Sequence, residues 1–217
     1  MAASRPPTPS RQRNAPVRAA HEVRIIGGLW KRTRLPVADK PGLRPTPDRV
    51  RETLFNWLGH DLSGWRCLDA FAGTGALGFE AASRGAAEVI VVEQDAQLVD
   101  QLRALKARLE ADAVQVQRGN GVTALQRAAP GSLDLLFLDP PFDASLYEKL
   151  LALARPALST HGLAYLEAGR AWDDAQLAGY GLCMHRHLKA GAVHAHLLRR
   201  SDNPPQETAT TAIEAAT

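Results

Sequence analysis

Cysteine is nearly missing from this sequence: 217 residues hold two, Cys67 and Cys183. Two isolated thiols cannot build a disulfide framework, and Cys67 falls in an apolar stretch that reads as a core strand, so both are expected to be reduced. Long apolar runs are lacking as well. None approaches the ~20 residues that a membrane span needs, and the first residues have no apolar segment of the kind that signals export. The expectation is therefore no membrane association and a cytoplasmic location. No internal repeat is found. Acids are scarce at the front end, where Met1 to Arg34 carries eight Lys or Arg residues and a single acid, Glu22. A basic front on a chain of net charge +3 points to a polyanionic partner.

The rest of the composition is ordinary. Hydrophobic residues make up 45% and charged residues 23% of the chain, as in a globular protein able to bury one core. Residues 1–20 are rich in Pro, Ser, Arg and Ala and lack periodicity, so a disordered basic tail is expected there and a second disordered tail over 201–217. Between them, 21–200 is expected to form one monomeric domain, with 21–45 as an N-terminal hairpin and connector.

Val23 to Leu35 reads as a small hairpin turning at Gly27-Gly28, with Trp30, Arg32 and Arg34 alternating with Lys31 and Thr33 along its second arm. Thr46-Pro47-Asp48 carries the signals of a helix start: an N-cap residue, a proline in the first position and an acid in the first turn. Val50, Leu54, Trp57 and Leu58 then share one helical face. Arg24, Lys31, Arg32, Arg34, Arg44, Arg49 and Arg51 gather around these two elements as exposed candidates for gripping phosphates.

From Arg66 strands and helices alternate, with strands near 66–70, 88–93, 114–118, 133–138 and 162–167 and helices over about 76–84, 96–110, 121–128 and 144–155. Leu182 to Leu188 and Val193 to Leu198 read as an antiparallel hairpin at the sheet edge. The expected fold is α/β: a Rossmann-like sheet, mostly parallel, with that C-terminal hairpin and a small N-terminal hairpin and helix. His185, His187, His194 and His196 alternate along the C-terminal arms, and i and i+2 share a strand face. No cysteine or carboxylate cluster accompanies them, so polar alternation on a half-exposed sheet accounts for them and no metal is expected.

Two stretches carry chemistry. The first is Cys67-Leu68-Asp69-Ala70-Phe71-Ala72-Gly73-Thr74-Gly75-Ala76-Leu77-Gly78, a strand running into a glycine-rich turn that opens a helix. Gly73, Gly75 and Gly78 satisfy the dinucleotide spacing G-x-G-x-x-G, and Glu93 at the next strand end suits ribose hydroxyls. Asp69 argues against a pyrophosphate, which it would repel, and for the cationic amino-acid portion of S-adenosylmethionine; a carboxylate capping its own loop is the plainer alternative. Asn120 offers a donor and an acceptor to an adenine edge, or is simply the turn residue of Gly119-Asn120-Gly121.

The second stretch is Leu136-Phe137-Leu138-Asp139-Pro140-Pro141-Phe142. The prolines end the strand, since neither can donate a ladder hydrogen bond. A carboxylate and the Pro140 carbonyl are two acceptors side by side, which suits a planar NH₂ group. Phe142 gives a base a surface for stacking, worth ~1–3 kcal/mol. Standing alone, an Asp-Pro-Pro turn could equally cap a strand.

Taken in order, Asp69-x-x-x-Gly-x-Gly, Glu93 and Asp139-Pro-Pro-Phe142 resemble the amino-methylating class I S-adenosylmethionine-dependent methyltransferases. Arg24-Ile-Ile-Gly-Gly28, Leu43-Arg-Pro-Thr-Pro-Asp-Arg-Val-Arg-Glu-Thr-Leu-Phe-Asn-Trp-Leu58 and Leu68 to Gly78 are similar to the ribosomal RNA small subunit methyltransferase D family. That resemblance spans about Val23 to Arg199. It implies methylation of a guanine N2 in 16S ribosomal RNA, within a small subunit or an assembly intermediate. It assigns Asp69, Gly73, Gly75, Glu93 and Asn120 to the cofactor, with Phe71, Gln94 and Gly121 beside them and Thr46 closing over it. Asp139, Pro140, Pro141 and Phe142 become the catalytic loop. The loop itself would also suit adenine N6, cytosine N4 or a protein amide. A nicotinamide-dependent oxidoreductase or a non-catalytic RNA-binding module is the alternative of a different class.

Overall fold

The computed structural model describes residues 22–37, 46–141 and 144–202. The expected tails 1–20 and 203–217, the connector 38–45 with Arg44, and Phe142 lie outside the described residues. Ser201 and Asp202, expected to open the second tail, are tied down: the Ser201 N–H donates to the Gly181 carbonyl, and Asp202 pairs with Arg200 and Arg155.

Strands β1 (Glu22–Arg24) and β2 (Arg34–Pro36) form a two-stranded antiparallel ribbon, followed by helix α1 (Asp48–Leu58). The chain then alternates β3 (Arg66–Asp69), α2 (Ala76–Ser83), β4 (Glu88–Glu93), α3 (Ala96–Leu109), β5 (Val114–Arg118), α4 (Gly121–Arg127), β6 (Leu133–Leu138), α5 (Ala144–Ala157) and β7 (Leu158–Ala168). It ends in α6 (Asp174–Ala178) and the antiparallel pair β8 (Leu182–Ala190) and β9 (Val193–Arg200). The large sheet has the order β5-β4-β3-β6-β7-β9-β8, parallel as far as β7.

The strand sequences account for this order. Central β6, Leu-Asp-Leu-Leu-Phe-Leu, is apolar almost throughout because both its faces are covered. Edge strand β5 alternates valine with exposed Gln115 and Gln117, as a half-solvated edge should. One core joins α1, α2 and α3 to the sheet through Phe55, Phe79, Leu102 and Phe137. The opposite face packs α4, α5 and α6 through Leu125, Leu151, Leu177 and Leu136. Among the described residues no helix is long and apolar enough to cross a membrane.

Three local expectations change. The loop closed by Ile25 and Thr33 contains Gly27 and Gly28, but its tight turns follow them, where the Lys31 N–H donates to the Gly28 carbonyl and the Thr33 N–H to that of Trp30. The glycine pair instead lies flat on α2. A Cβ on Gly27 would run into the Arg84 guanidinium, and one on Gly28 into the Ser83 carbonyl. Thr46 is not the N-cap of α1, which starts after Pro47 without a side-chain cap. Arg51 is not an exposed phosphate contact. It is fully buried, donating to the Thr46 and Arg24 carbonyls and to Asp48, and so fastens the segment before α1 to β1.

Candidate active site

β3 lies inside the sheet, between β4 and β6. Its crossover through α2 leads to β4 on one side, while β6, on its other side, is reached only later in the chain. Connections that diverge in this way open a crevice at the carboxyl ends of the two strands. The two motifs meet there: Asp69 pairs with Phe137 across β3 and β6, two residues before Asp139.

The glycine loop is built by its own acids. Gly73 and Gly75 have φ of 52° and 79°, a left-handed conformation that side chains resist. The Glu93 carboxylate accepts the Gly73 N–H at 3.0 Å and the Asp95 N–H at 2.9 Å, which fixes the loop against the end of β4. Asp69 is 2% exposed and accepts the Gly78 N–H at 3.0 Å. Burial pushes its carboxyl up to about 7, the backbone N–H groups of Gly78 and Phe71 pull the other way, and the charge on Glu93 adds to the rise. Asp69 thus braces the loop from inside. Gly121 packs on the Ala70 carbonyl and the Phe71 ring where a Cβ would clash, so the β5–α4 turn closes against the same loop. Exposed Asn120 caps α4, its Oδ1 accepting from the Thr123 N–H at 3.2 Å, which leaves the amide nitrogen for a ligand. Gln94 is exposed beside it.

Asp139 is half-buried, with Pro140 buried behind it and Pro141 exposed. The Thr46 hydroxyl lies 3.5 Å from its Oδ2, which explains why Thr46 does not cap α1. Burial, followed by the charges of Glu167 and Asp69, holds the Asp139 carboxyl well above the usual range, against a smaller opposing effect of Thr46. Glu167 was not singled out from the sequence. It ends the apolar run Leu163-Ala-Tyr-Leu-Glu167 of β7 as Asp69, Glu93 and Asp139 end theirs, and that shared position is the signal that would have found it. It is 4% exposed, and the Tyr165 hydroxyl donates to its Oε1 at 2.7 Å.

The structure thus brings Thr46, Asp69, Phe71, Gly73, Gly75, Glu93, Gln94, Asn120, Gly121, Asp139, Pro140 and Pro141 to one edge of the sheet. The basic residues divide. Lys31, Arg32 and Arg49 are exposed, while Arg34 pairs with Glu22 at 2.8 Å and Arg24 with Asp48 at 3.5 Å.

The four histidines separate too, because a bulge between Met184 and Arg186 breaks the alternation and leaves His185 out of the group. His187, His194 and His196 gather with ligand atoms within 4.8 Å. His196 is fully buried rather than half-exposed. Its Nε2 accepts the Trp172 N–H at 3.2 Å, so its proton is on Nδ1, 3.2 Å from the Leu166 carbonyl. The His187 and His194 rings stack at 16° with their nitrogens 3.0 Å apart. The three rings stack, and the innermost, His196, has both nitrogens engaged by the backbone.

Residues 23–199 match the family model described as conserved hypothetical protein 95. The chain is 41% identical over 182 residues to ribosomal RNA small subunit methyltransferase D of Escherichia coli strain K12, covering 82% of this chain and 90% of that protein. It is 44% identical over 138 residues to the protein of the same name from Haemophilus influenzae, covering 62% and 72%. The solved structure of yhhF from Escherichia coli superposes with a TM-score of 0.71 at 40% identity, covering 83% of this chain and 98% of that one.

Proposed function

The chain belongs to the ribosomal RNA small subunit methyltransferase D family, and from that premise we propose that it methylates 16S ribosomal RNA at the exocyclic N2 of a guanine, using S-adenosylmethionine. The small ribosomal subunit, or an intermediate in its assembly in the cytoplasm, is the substrate. The observation that carries this reading is the pairing of β3 with β6, which sets a half-buried carboxylate and a proline carbonyl beside a glycine loop.

The residues fit the cofactor. Gly73 and Gly75 leave the loop without side chains where a ligand must approach the backbone. Glu93 keeps acceptor capacity for ribose hydroxyls, since each carboxylate oxygen has taken one N–H. Gln94, Asn120 and Gly121 flank the place for the adenine, and Phe71 lies under the same turn. Asp69, being buried, acts on the cationic amino-acid portion by shaping the loop and through its charge. When bound, S-adenosylmethionine supplies an electrophilic methyl group and leaves as a neutral thioether.

The amine of guanine is a poor nucleophile because its lone pair is delocalised into the ring. Asp139 and the Pro140 carbonyl accept hydrogen bonds from its two N–H groups and favour the pyramidal geometry needed for attack. Orientation supplies the rest, up to ~7–11 kcal/mol. Phe142, next after Pro141, stacks the target base, which must leave its helix to reach the crevice. Lys31, Arg32, Arg49 and the paired Arg24 and Arg34 face the phosphates.

Replacing Asp139 with Ala is expected to abolish methyl incorporation while leaving cofactor binding within about threefold, measured by isothermal titration calorimetry. Mapping the methylated nucleoside in ribosomal RNA, with and without the protein, tests the base: N6-methyladenine or N4-methylcytosine in place of N2-methylguanine would overturn that part of the reading.

A further inference from the structure

Glu167 has no task in the reaction as described, yet its surroundings are specific. It lies at the carboxyl end of β7 beside β6, buried, with the Tyr165 hydroxyl on its Oε1 at 2.7 Å. Asp139 follows the register pair of Leu138 with Leu166 and so stands beside Glu167 at the ends of β6 and β7, and its Oδ2 takes the Thr46 hydroxyl at 3.5 Å. Two neighbouring carboxyl groups shielded from water resist being ionised together, so the pair is best satisfied when one carboxyl is ionised and the other protonated. Among the described residues no Lys or Arg forms an ion pair with either of them or with Asp69. The Tyr165 bond favours the negative charge on Glu167 and leaves the shared proton to Asp139.

We propose that Glu167 is a positioning residue for methyl transfer, one that acts through its charge to make the neighbouring Asp139 a stronger proton acceptor. The inference rests on the amine-methylation reading and adds the residue that tunes it. In the step concerned, the amine nitrogen bonds to the methyl carbon as the sulfur–carbon bond breaks, its electron pair staying on sulfur. Once Asp139 has lost its own proton to water, the nitrogen, now positive, releases a proton to it, and the half-buried carboxyl passes that proton on to water. A base is most effective when it titrates near the working pH, and both carboxyls of the pair are raised, each by burial first. The other titratable groups facing the pair are Asp69 on β3, Tyr165 on β7 and Tyr147 on α5, with Arg170 beside Tyr147. From α1, Arg51 is committed to Asp48 and two carbonyls.

The test is Glu167→Gln, which keeps the shape and an acceptor for the Tyr165 hydroxyl but removes the charge. Carboxyl ¹³C titration of the free protein should show the Asp139 pKa falling by about one unit or more, the scale of coupling between neighbouring acids. The acidic limb of kcat/KM should move to lower pH with it, and kcat should fall while KM for RNA stays within about twofold. Should Glu167→Gln fail to fold, Tyr165→Phe removes only the hydroxyl, lets Glu167 hold the proton more readily, and should shift Asp139 the same way by less. An Asp139 titration unmoved in the folded variants overturns the proposal. If that titration shifts but the unmodified protein methylates no amine, the methylation reading falls and the carboxylate coupling stands.

Discussion

Glu93 and His196 show how much one side chain carries here. Glu93 holds the glycine loop through Gly73 and is the residue we propose for the ribose, so Glu93→Ala should weaken S-adenosylmethionine binding at least tenfold by calorimetry while the fold persists. His196 is held neutral: burial first, then the neighbouring histidines and Arg170, lower its pKa to about 4 from 6.5, against the opposing Leu166 carbonyl. A base depressed in the folded state contributes stability that is present above pH 6.5 and lost as pH falls through 6.5 towards 4. The difference corresponds to about 3 kcal/mol. Asp69 has the opposite sign, since its raised carboxyl favours the fold as pH drops from about 7. The contribution of His196 is therefore best read against His196→Gln: the thermal midpoint advantage of the unmodified protein at pH 7 should shrink by pH 4.5. Residue positions were legible where a side chain ends a strand next to a turn, as with Asp139 and Glu93. They were hidden where the partner is distant in sequence. Nothing near Thr46 announces Asp139, ninety-three residues on, and nothing near Arg51 announces the carbonyls that bury it.

At the scale of elements, the alternation from Arg66 onward was readable because buried parallel strands are written as short apolar runs. The short helix α6 was not expected: it spans five residues, too few to show a period, and is set by a capping box between Asp173 and Gln176. The ribbon β1–β2 gave a misleading sign. A glycine pair between polar arms is the usual mark of a turn, whereas here the glycines make room for α2. Glu80, fully buried, receives the N–H groups of Ile26 and Gly27 at 2.6 and 2.7 Å and pairs with Arg84. The Ser83 side chain donates to the Gly27 carbonyl and accepts from the Trp30 N–H. Gly28→Ala combines a φ of 72° with a collision against the Ser83 carbonyl. It should destabilise the protein by about 2 kcal/mol or more and increase amide exchange over 25–33, read by hydrogen exchange, with cofactor affinity little changed.

For the whole molecule, charge and topology divide the work. Lys31, Arg32 and Arg49 are exposed on the β1–β2 ribbon and α1, while the carboxylates crowd the sheet edge. Contacts to phosphates release counterions, so RNA affinity should fall with salt. Lys31→Ala combined with Arg32→Ala should lower affinity for all RNA sequences alike and flatten the dependence of log K on log salt by about two; an unchanged slope would remove these residues from the interface. The fold class was the most legible feature of all, because it is set by the order of elements rather than by any one contact.

Every residue of α2, from Ala76 to Ser83, is buried. One end of that helix leaves the glycine loop and the other holds the ribbon through Glu80 and Ser83, so it works as a tie rod with no outward face. Leu29, 83% exposed, stands with Lys31 and Arg32 at the ribbon's tip. Evolution is thus given a free margin and a fixed frame: the tip can be rewritten to suit a different groove or a different particle, while any rewriting of the rod disturbs both of its ends at once.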